Sequence, residues 1–199
     1  MSEAATRADS RAESRAAGGQ AAGGQAAGEA SELARLRETV ARLAERVRVL
    51  EDQAAIGQLV ARYGPAVDSG SAAAAARLWT EDGVFEVPPY ATWTGRGEIA
   101  GMVDGAGHQG LISNGCAHVL TAPLVAVDGD QAQAWNYALN IRWDAERERF
   151  WVARVSANHW RLRRQGDGWR VVHRVNRNLD GSEEPRAIFR AATAATEPA

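Results

Sequence analysis

Four polar side chains have the types and positions from which an acid–base site could be built. Tyr63 and Asp68 lie five positions apart near the end of an apolar helix face, and His118 begins an apolar strand. A histidine acts as a general base when a carboxylate holds its other ring nitrogen, and Asp68 could supply that carboxylate if helix end and strand start meet. Arg174, in the last predicted strand, could stabilise developing negative charge. The four residues predict proton abstraction as their chemistry.

Each of these residues also has a structural interpretation. Asp68 could be a turn residue at a helix end, Tyr63 a core aromatic with a satisfied hydroxyl, and His118 a buried neutral histidine bound to a backbone carbonyl. Arg174 and Arg177 lie on opposite faces of a regular strand, so at most one of them reaches a shared pocket. Spacing alone does not choose between the two interpretations.

The composition excludes several classes of enzyme. All 23 basic residues are arginines, which removes Schiff-base enzymes, pyridoxal-phosphate enzymes and Walker-type nucleotide binders, because each needs a lysine. The single cysteine, Cys116, excludes an intrachain disulfide and a zinc site built from several thiolates. The four histidines show no metal-ligand spacing such as HExxH. We therefore expect neither a cofactor nor a metal.

Charge and hydropathy limit the partners. The net charge is −2 and no nucleic-acid-binding motif is present, so we expect no nucleic acid partner. No apolar run approaches the ~20 residues of a membrane-spanning helix, and the first twenty residues lack the apolar core of a signal peptide. The sequence predicts a soluble, cytoplasmic protein that does not bind membranes.

The chain divides into four predicted parts. Residues 1–30 contain sixteen Ala or Gly and are predicted to be a disordered tail. Residues 31–50 form a heptad helix, residues 51–182 a single globular domain, and residues 183–199 a C-terminal tail. The heptad seam consists of apolar residues at alternating spacings of three and four: Leu33, Leu36, Val40, Leu43, Val47 and Leu50. It predicts either a coiled coil between subunits or a long helix lying on its own domain.

The elements that would position the site are helices first and strands afterwards. The helical pattern continues to Asp68 with a kink or restart at Pro65, and short helices follow over residues 72–79 and 97–103. We expect a first strand at 84–87, a glycine-rich loop at 105–115, and an antiparallel meander whose strands are 116–127, 131–143, 150–163 and 169–178. The order predicts an α+β fold in which a curved antiparallel sheet, closed by the helices, encloses a pocket.

Several short segments together resemble the SnoaL-like branch of the nuclear-transport-factor-2-like superfamily. The resemblance covers about residues 51–180 and rests on the order and spacing of these pieces: Ala55-Ile56, Arg62-Tyr63, Val67-Asp68, Leu78-Trp79-Thr80-Glu81-Asp82-Gly83-Val84-Phe85, Gly95-Arg96-Gly97-Glu98-Ile99, Cys116-Ala117-His118, Val127-Asp128-Gly129-Asp130 and Asp167-Gly168-Trp169-Arg170. It implies a cone-shaped α+β barrel, commonly dimeric, with a pocket between sheet and helices. The fold hosts many activities, so it specifies function poorly.

Within that superfamily the sequence looks most similar to bile-acid dehydratase and hexachlorocyclohexane dehydrochlorinase. Scytalone dehydratase and ketosteroid isomerase are further members. The resemblance implies an Asp–His dyad at Asp68 and His118, with a tyrosine at Tyr63 as in the dehydratase and an arginine at Arg174 as in the dehydrochlorinase. The dehydrochlorinase has a lysine where this chain has Tyr63, which argues against halide elimination.

Two main hypotheses follow. The first is a cofactor-independent lyase or isomerase, dehydratase-like, acting on a hydrophobic ring-containing small molecule, with Asp68, His118, Tyr63 and Arg174 as its catalytic residues. The second is a non-catalytic module for small-molecule binding or subunit interaction, and a polyketide cyclase is a third option. In each case the heptad helix and the family resemblance predict a homodimer or higher homo-oligomer.

Overall fold

A computed structural model describes residues 3–166 and 168–197 of the chain, with side chains described at residue 28 and from residue 30 onward. The chain divides into two compact units, Met1–Arg48 and Val49–Ala199. The predicted four-part division remains a prediction. No helix in the described part of the chain is long and apolar enough to cross a membrane.

Helix α1 spans Glu3–Asp68 and makes up the described part of the first unit. It includes residues 3–30, for which the composition predicts disorder; alanine has the highest helix propensity of all residues, and eleven alanines lie in that segment. Residues 1 and 2 of the predicted tail lie outside the described residues. Disorder of this segment in solution stays a prediction.

The described part of the second unit contains the C-terminal end of α1, four further helices and seven strands. The elements after α1 are α2 (Ala72–Ala76), β1 (Trp79–Val87), β2 (Ala91–Thr94), α3 (Gly95–Asp104), α4 (Ala106–Ser113), β3 (Cys116–Leu120), β4 (Leu124–Asp128), β5 (Gln131–Asp144), β6 (Arg149–Gln165), β7 (Gly168–Asn178) and α5 (Glu183–Ala195). The α+β class is confirmed.

All seven strands form one mixed sheet. Its order is β2-β1-β7-β6-β5-β3, with β4 also paired to β5. Every pair is antiparallel except β1 with β7, which is parallel, so the predicted antiparallel arrangement holds for the other pairs and not for that one. Turns between consecutive strands order β5, β6 and β7 as an antiparallel meander, whereas β1 and β7 are far apart in the sequence and no turn between them fixes the direction of their pairing.

Several element boundaries differ from the sequence-based expectation. Pro65 lies inside α1 without ending it, and the predicted loop at 105–115 contains helix α4. The helix predicted to reach residue 79 ends at Ala76, and the strand predicted from residue 84 already begins at Trp79. The single strand predicted over 116–127 is divided into β3 and β4, and the predicted C-terminal tail contains helix α5. The predicted end of α1 at Asp68 is confirmed.

The core of the second unit lies between α1 and the concave face of the sheet. The helix contributes Ile56, Val60 and Val67, which are at most 1% exposed and recur at helical spacing. The sheet contributes Trp79 and Trp160, both fully buried. Burying each of these large apolar side chains contributes about 1.5–3 kcal/mol. This packing fixes the position of the last turns of α1 against the sheet.

Candidate active site

The carboxylate of Asp68 makes two hydrogen bonds to His118. One oxygen, Oδ1, lies 2.6 Å from the imidazole Nδ1, and the other, Oδ2, accepts the backbone N–H of His118 at 2.8 Å. A carboxylate can only accept here, so Nδ1 carries a proton and the neutral ring presents the lone pair of Nε2. No described residue hydrogen-bonds to Nε2. The end of α1 and the start of β3 thus meet, which is the condition for the Asp68 carboxylate to orient the His118 ring.

The close approach of α1 to β3 depends on Gly64. A methyl group built at this glycine would lie 2.3 Å from the backbone oxygen of His118, well inside van der Waals contact. Gly64 is one helical turn before Asp68, so it brings the backbone of α1 against the strand that carries His118. Sequence analysis missed this residue, although a glycine inside an apolar helix pattern is a signal of close packing.

Two aromatic rings flank the imidazole of His118. The ring of Tyr63 meets it edge-on, with 6.5 Å between ring centres, and the ring of His108 lies 5.4 Å away at an angle of 35°. His108 is held by a hydrogen bond from Nε2 to the backbone oxygen of Val67 at 2.9 Å. Sequence analysis placed His108 in a loop and did not connect it with the site. These contacts restrict the rotation of the His118 ring.

His118 faces a cavity of about 370 Å³ between the helices and the concave face of the sheet. A cavity of this size lies at the small end of the usual range for ligand pockets. Its walls are apolar and aromatic for the most part, including Phe85, Trp93, Met102 and Leu120. Asp68 is not among the lining residues, so it lies behind the histidine and contacts the cavity only through it. The arrangement suits a hydrophobic ligand whose reacting atom lies beside Nε2.

Arg174 is buried deep in the same cavity, with 2% of its surface exposed. The centre of its guanidinium lies 4.1 Å from the rings of both Tyr63 and Trp160, and its Nε donates to Asn158 Oδ1 at 3.1 Å. Its Nη1 is buried without a hydrogen-bond partner in the described part of the chain. Burial lowers the pKa of Arg174 to about 10, and adjacent Tyr63 opposes this shift. The group remains a cation at neutral pH.

The neighbouring Arg177 has a different environment. Its guanidinium lies 3.6 Å from Glu86 and also forms an ion pair with Glu184 of α5. It does not line the cavity. The alternation expected of a regular strand therefore holds between these two residues, and Arg174 is the one that faces the cavity.

The four residues singled out from the sequence lie together. Asp68 contacts His118, His118 packs against Tyr63, and Tyr63 lies under Arg174. Tyr63 is 4% exposed and lines the cavity, so it contributes both to the core and to the site wall. Hydrophobic periodicity indicated the helix face that carries Tyr63, whereas only the family resemblance, and not residue spacing, implied that the helix end meets β3.

Asp68, Cys116 and His118 form a group whose ligand atoms lie within 4.8 Å of one another and could hold a metal ion. The contact between Nδ1 and Oδ1, at 2.6 Å, is a direct hydrogen bond and is short even for one that involves a charged group. Burial raises the pKa of the Cys116 thiol, with a further contribution from Asp68, which disfavours the thiolate that binds metals. The arrangement fits a hydrogen-bonded pair better than a metal centre.

Comparison with known proteins identifies relatives of the second unit. Residues 48–175 match the SnoaL-like domain family. The chain is 46% identical to an NTF2-like protein with a cystatin-like fold from Novosphingobium aromaticivorans, with a TM-score of 0.71 over 74% of this chain and 94% of that one. No curated protein matches the sequence significantly.

Two more distant structures share the fold. A Mycobacterium tuberculosis protein of unknown function is 23% identical, with a TM-score of 0.58 over 76% of this chain and 90% of that one. A candidate scytalone dehydratase from Novosphingobium aromaticivorans is 18% identical, with a TM-score of 0.56 over 65% of this chain and 85% of that one. At this level of identity the likeness extends to the fold alone.

Proposed function

The chain belongs to the SnoaL-like domain family, with an NTF2-like fold, and from this membership and the site geometry we propose that it is a cofactor-independent, dehydratase-like lyase or isomerase. Its substrate is a hydrophobic, ring-containing small molecule. The observation that carries the proposal is the 2.6 Å hydrogen bond between Asp68 and Nδ1, which leaves Nε2 of His118 facing an apolar cavity.

Elimination of water fits these residues best. His118 Nε2 takes a proton from a carbon next to a carbonyl, and the electron pair of that C–H bond forms a C=C bond as the neighbouring C–O bond breaks. The leaving oxygen takes a proton from the Tyr63 hydroxyl and departs as water, and the proton on His118 then returns to Tyr63 through solvent. Without a leaving oxygen, return of the proton to another carbon gives isomerisation.

The remaining residues support this proton transfer. Asp68 is a positioning residue, since it holds the ring orientation and stabilises the imidazolium formed when Nε2 is protonated. Arg174 stabilises the negative charge that develops on the carbonyl oxygen, an effect typically worth about 2.7–4 kcal/mol per donor. The apolar walls exclude water and strengthen both interactions.

Turnover of hydroxylated ring ketones, followed by the ultraviolet absorbance of the conjugated product, tests the proposal. Wild-type protein is expected to eliminate water from at least one compound, whereas His118→Ala and Asp68→Ala are expected to reduce turnover at least 100-fold with an unchanged circular dichroism spectrum. His159→Gln is the matched control because His159 does not line the cavity. Full activity of His118→Ala would refute the proposal, and binding without turnover by the wild type would favour the non-catalytic module.

A further inference from the structure

The concave face of the sheet carries a row of polar side chains beside the proposed base. Alternate residues of β6 and β7 point to this face, and the paired positions are Asn158 with Asn176 and Ser156 with Asn178. Arg154 lies two positions before Ser156 and lines the cavity. Ligand pockets are lined mostly by apolar side chains with a few polar groups that orient the ligand, so a whole row of polar side chains on this face suggests a role in binding.

Arg154 and Arg174 are joined through two neutral amides. Arg154 donates to the side-chain oxygens of Asn176 and Asn178, Asn176 Nδ2 donates to Asn158 Oδ1 at 2.8 Å, and Arg174 donates to the same oxygen. These bonds fix both guanidinium groups without neutralising either of them. Arg154 also lies over the ring of Tyr90, 5.4 Å from its centre.

Neither arginine has an acidic partner in the described part of the chain. Arg154 shares a neighbouring cleft with Asp180, but Asp180 Oδ1 accepts the backbone N–H of Ser182 at 2.9 Å and forms no ion pair with the arginine. Among the described residues, the cavity is lined by three arginines, the third being Arg142, and by no aspartate or glutamate. Asp68 behind the cavity is engaged by His118.

Such an excess of buried positive charge is costly in the free protein. Burial lowers the pKa of Arg154, as it does that of Arg174, because each charged form is poorly solvated. The buried Nη1 of Arg174 has no partner within the described residues, and a buried donor left unpaired loses its hydration without a compensating hydrogen bond. An anionic group on a ligand would offset the penalty at Arg154, and a second ligand oxygen would accept a hydrogen bond from Nη1 of Arg174.

We propose that the substrate carries a carboxylate, and that Arg154 is the residue that binds it. Arg154 is half-buried beside Tyr90, which is 68% exposed, so it lies at the cavity mouth, while Arg174 is deep inside. A carboxylate at Arg154 places the apolar ring among the aromatic walls and leaves Arg174 for the oxygen at the reacting centre. The inference rests on the proposed function because it specifies the substrate class of the same site.

Binding of two isosteric probes tests the charge preference directly. 2-Naphthoate and 2-naphthamide differ in charge and hardly in shape, and calorimetric titration of the full-length protein gives the dissociation constant of each. The wild type is expected to bind the naphthoate at least tenfold more tightly, with a preference that falls as salt rises. Equal affinities, or no measurable binding of the naphthoate, would overturn the proposal, and this comparison needs no variant.

Substitution then assigns the preference to Arg154. Arg154→Gln is expected to bind the two probes with similar affinity, whereas Arg149→Gln, an exposed arginine of the same strand outside the cavity, is expected to keep the wild-type preference. A tenfold preference that survives in Arg154→Gln would contradict the assignment. His118→Ala is expected to retain the preference even if it loses turnover, so failure of carboxylate recognition is separable from failure of the proposed reaction.

Discussion

At the scale of single residues, the site places a partly buried histidine and a buried arginine beside side chains that hold each of them in position. His118 is oriented by Asp68 on one side, and on the other it lines a cavity whose walls are mostly apolar and aromatic and include three arginines. Arg174 is held in place by aromatic rings and one amide oxygen. In the proposed reaction a histidine base and a cation for the developing anion would thereby be preorganised, and such preorganisation is a main source of rate enhancement in enzymes.

Arg174 is expected to matter for turnover and not for stability. Arg174→Met replaces a buried cation that lacks an acidic partner with an apolar side chain of similar length, so the melting temperature should stay unchanged or rise. The kcat/KM for an identified substrate should fall about 100-fold, because one electrostatic contact to the transition state is lost. Thermal melts and steady-state kinetics measure the two effects, with Arg149→Met, at an exposed position outside the cavity, as the matched control. A strongly lowered melting temperature in Arg174→Met would show that the residue is structural.

His159 makes the stability of the fold depend on pH. Burial lowers its pKa to about 4, with contributions from Arg161 and His173, and the unfolded chain titrates near ~6.5. Between these values the unfolded state binds more protons, so stability is full above pH ~6.5 and falls as the pH falls towards 4. With allowance for partial exposure the loss is about 1–2 kcal/mol.

Urea unfolding of the wild type and His159→Gln at pH 7 and pH 4.5 measures this contribution. The variant cannot take up the proton, so its free energy of unfolding is expected to decrease less on acidification than that of the wild type. Parallel decreases in the two proteins would show that the neutral form of His159 is not favoured by the fold.

At the scale of elements, the site depends on the contact between α1 and β3. Asp68 is the last residue of α1, and its carboxylate satisfies a backbone N–H on β3, a strand at the edge of the sheet. The same contact therefore satisfies one backbone donor at the edge of the sheet and orients the histidine. Gly64 permits it because no side chain separates the two backbones.

Gly64→Ala is expected to separate the two elements. The added methyl group would overlap the His118 carbonyl, which should destabilise the fold by about 1–3 kcal/mol and reduce turnover through the displaced imidazole. Gly57→Ala, in the same helix with open space around it, is the matched control and should be neutral or stabilising by about 0.5–1 kcal/mol. Chemical denaturation compares the two variants. Equal effects would mean that the α1–β3 approach does not depend on Gly64.

The sequence predicted local elements better than their contacts. Apolar periodicity and turn residues specified the helix that ends at Asp68 and the later strands, because both signals are local. The parallel pairing of β1 with β7, the helix α4 and the position of His108 were missed, because they depend on packing between distant segments. The proximity of Asp68 and His118 was predicted from the family resemblance and not from the spacing of residues in the sequence.

At the scale of the whole molecule, α1 carries an apolar seam that the single chain leaves exposed. The six seam residues between Leu33 and Leu50 are 48–63% exposed. A helix that exposes such a stripe is only marginally stable in water, and heptad spacing is the pattern by which helices pair. We propose that this segment joins copies of the chain into an oligomer. The oligomeric state of the full chain in solution tests this proposal.

Analytical ultracentrifugation of the full chain tests that proposal. The wild type is expected to sediment as a dimer or larger oligomer, and Leu36→Gln with Leu43→Gln should lower the mass because two seam contacts are lost. Glu38→Gln with Arg42→Gln changes the outer face of the same helix and should leave the mass unchanged. A monomeric wild type would refute the proposal, and an unchanged mass of the seam variant would place the contact outside the heptad segment.

The orientation of His118 by Asp68 underlies the whole account, and nitrogen-15 NMR of the histidine ring nitrogens measures it without a substrate. In neutral His118 the account predicts a proton on Nδ1, observed as a slowly exchanging downfield resonance, and an unprotonated Nε2. In Asp68→Ala this resonance should disappear and the ring should populate both tautomers. A proton on Nε2 in the wild type, or the same spectrum in the variant, would contradict the claim that Asp68 prepares His118 as a base.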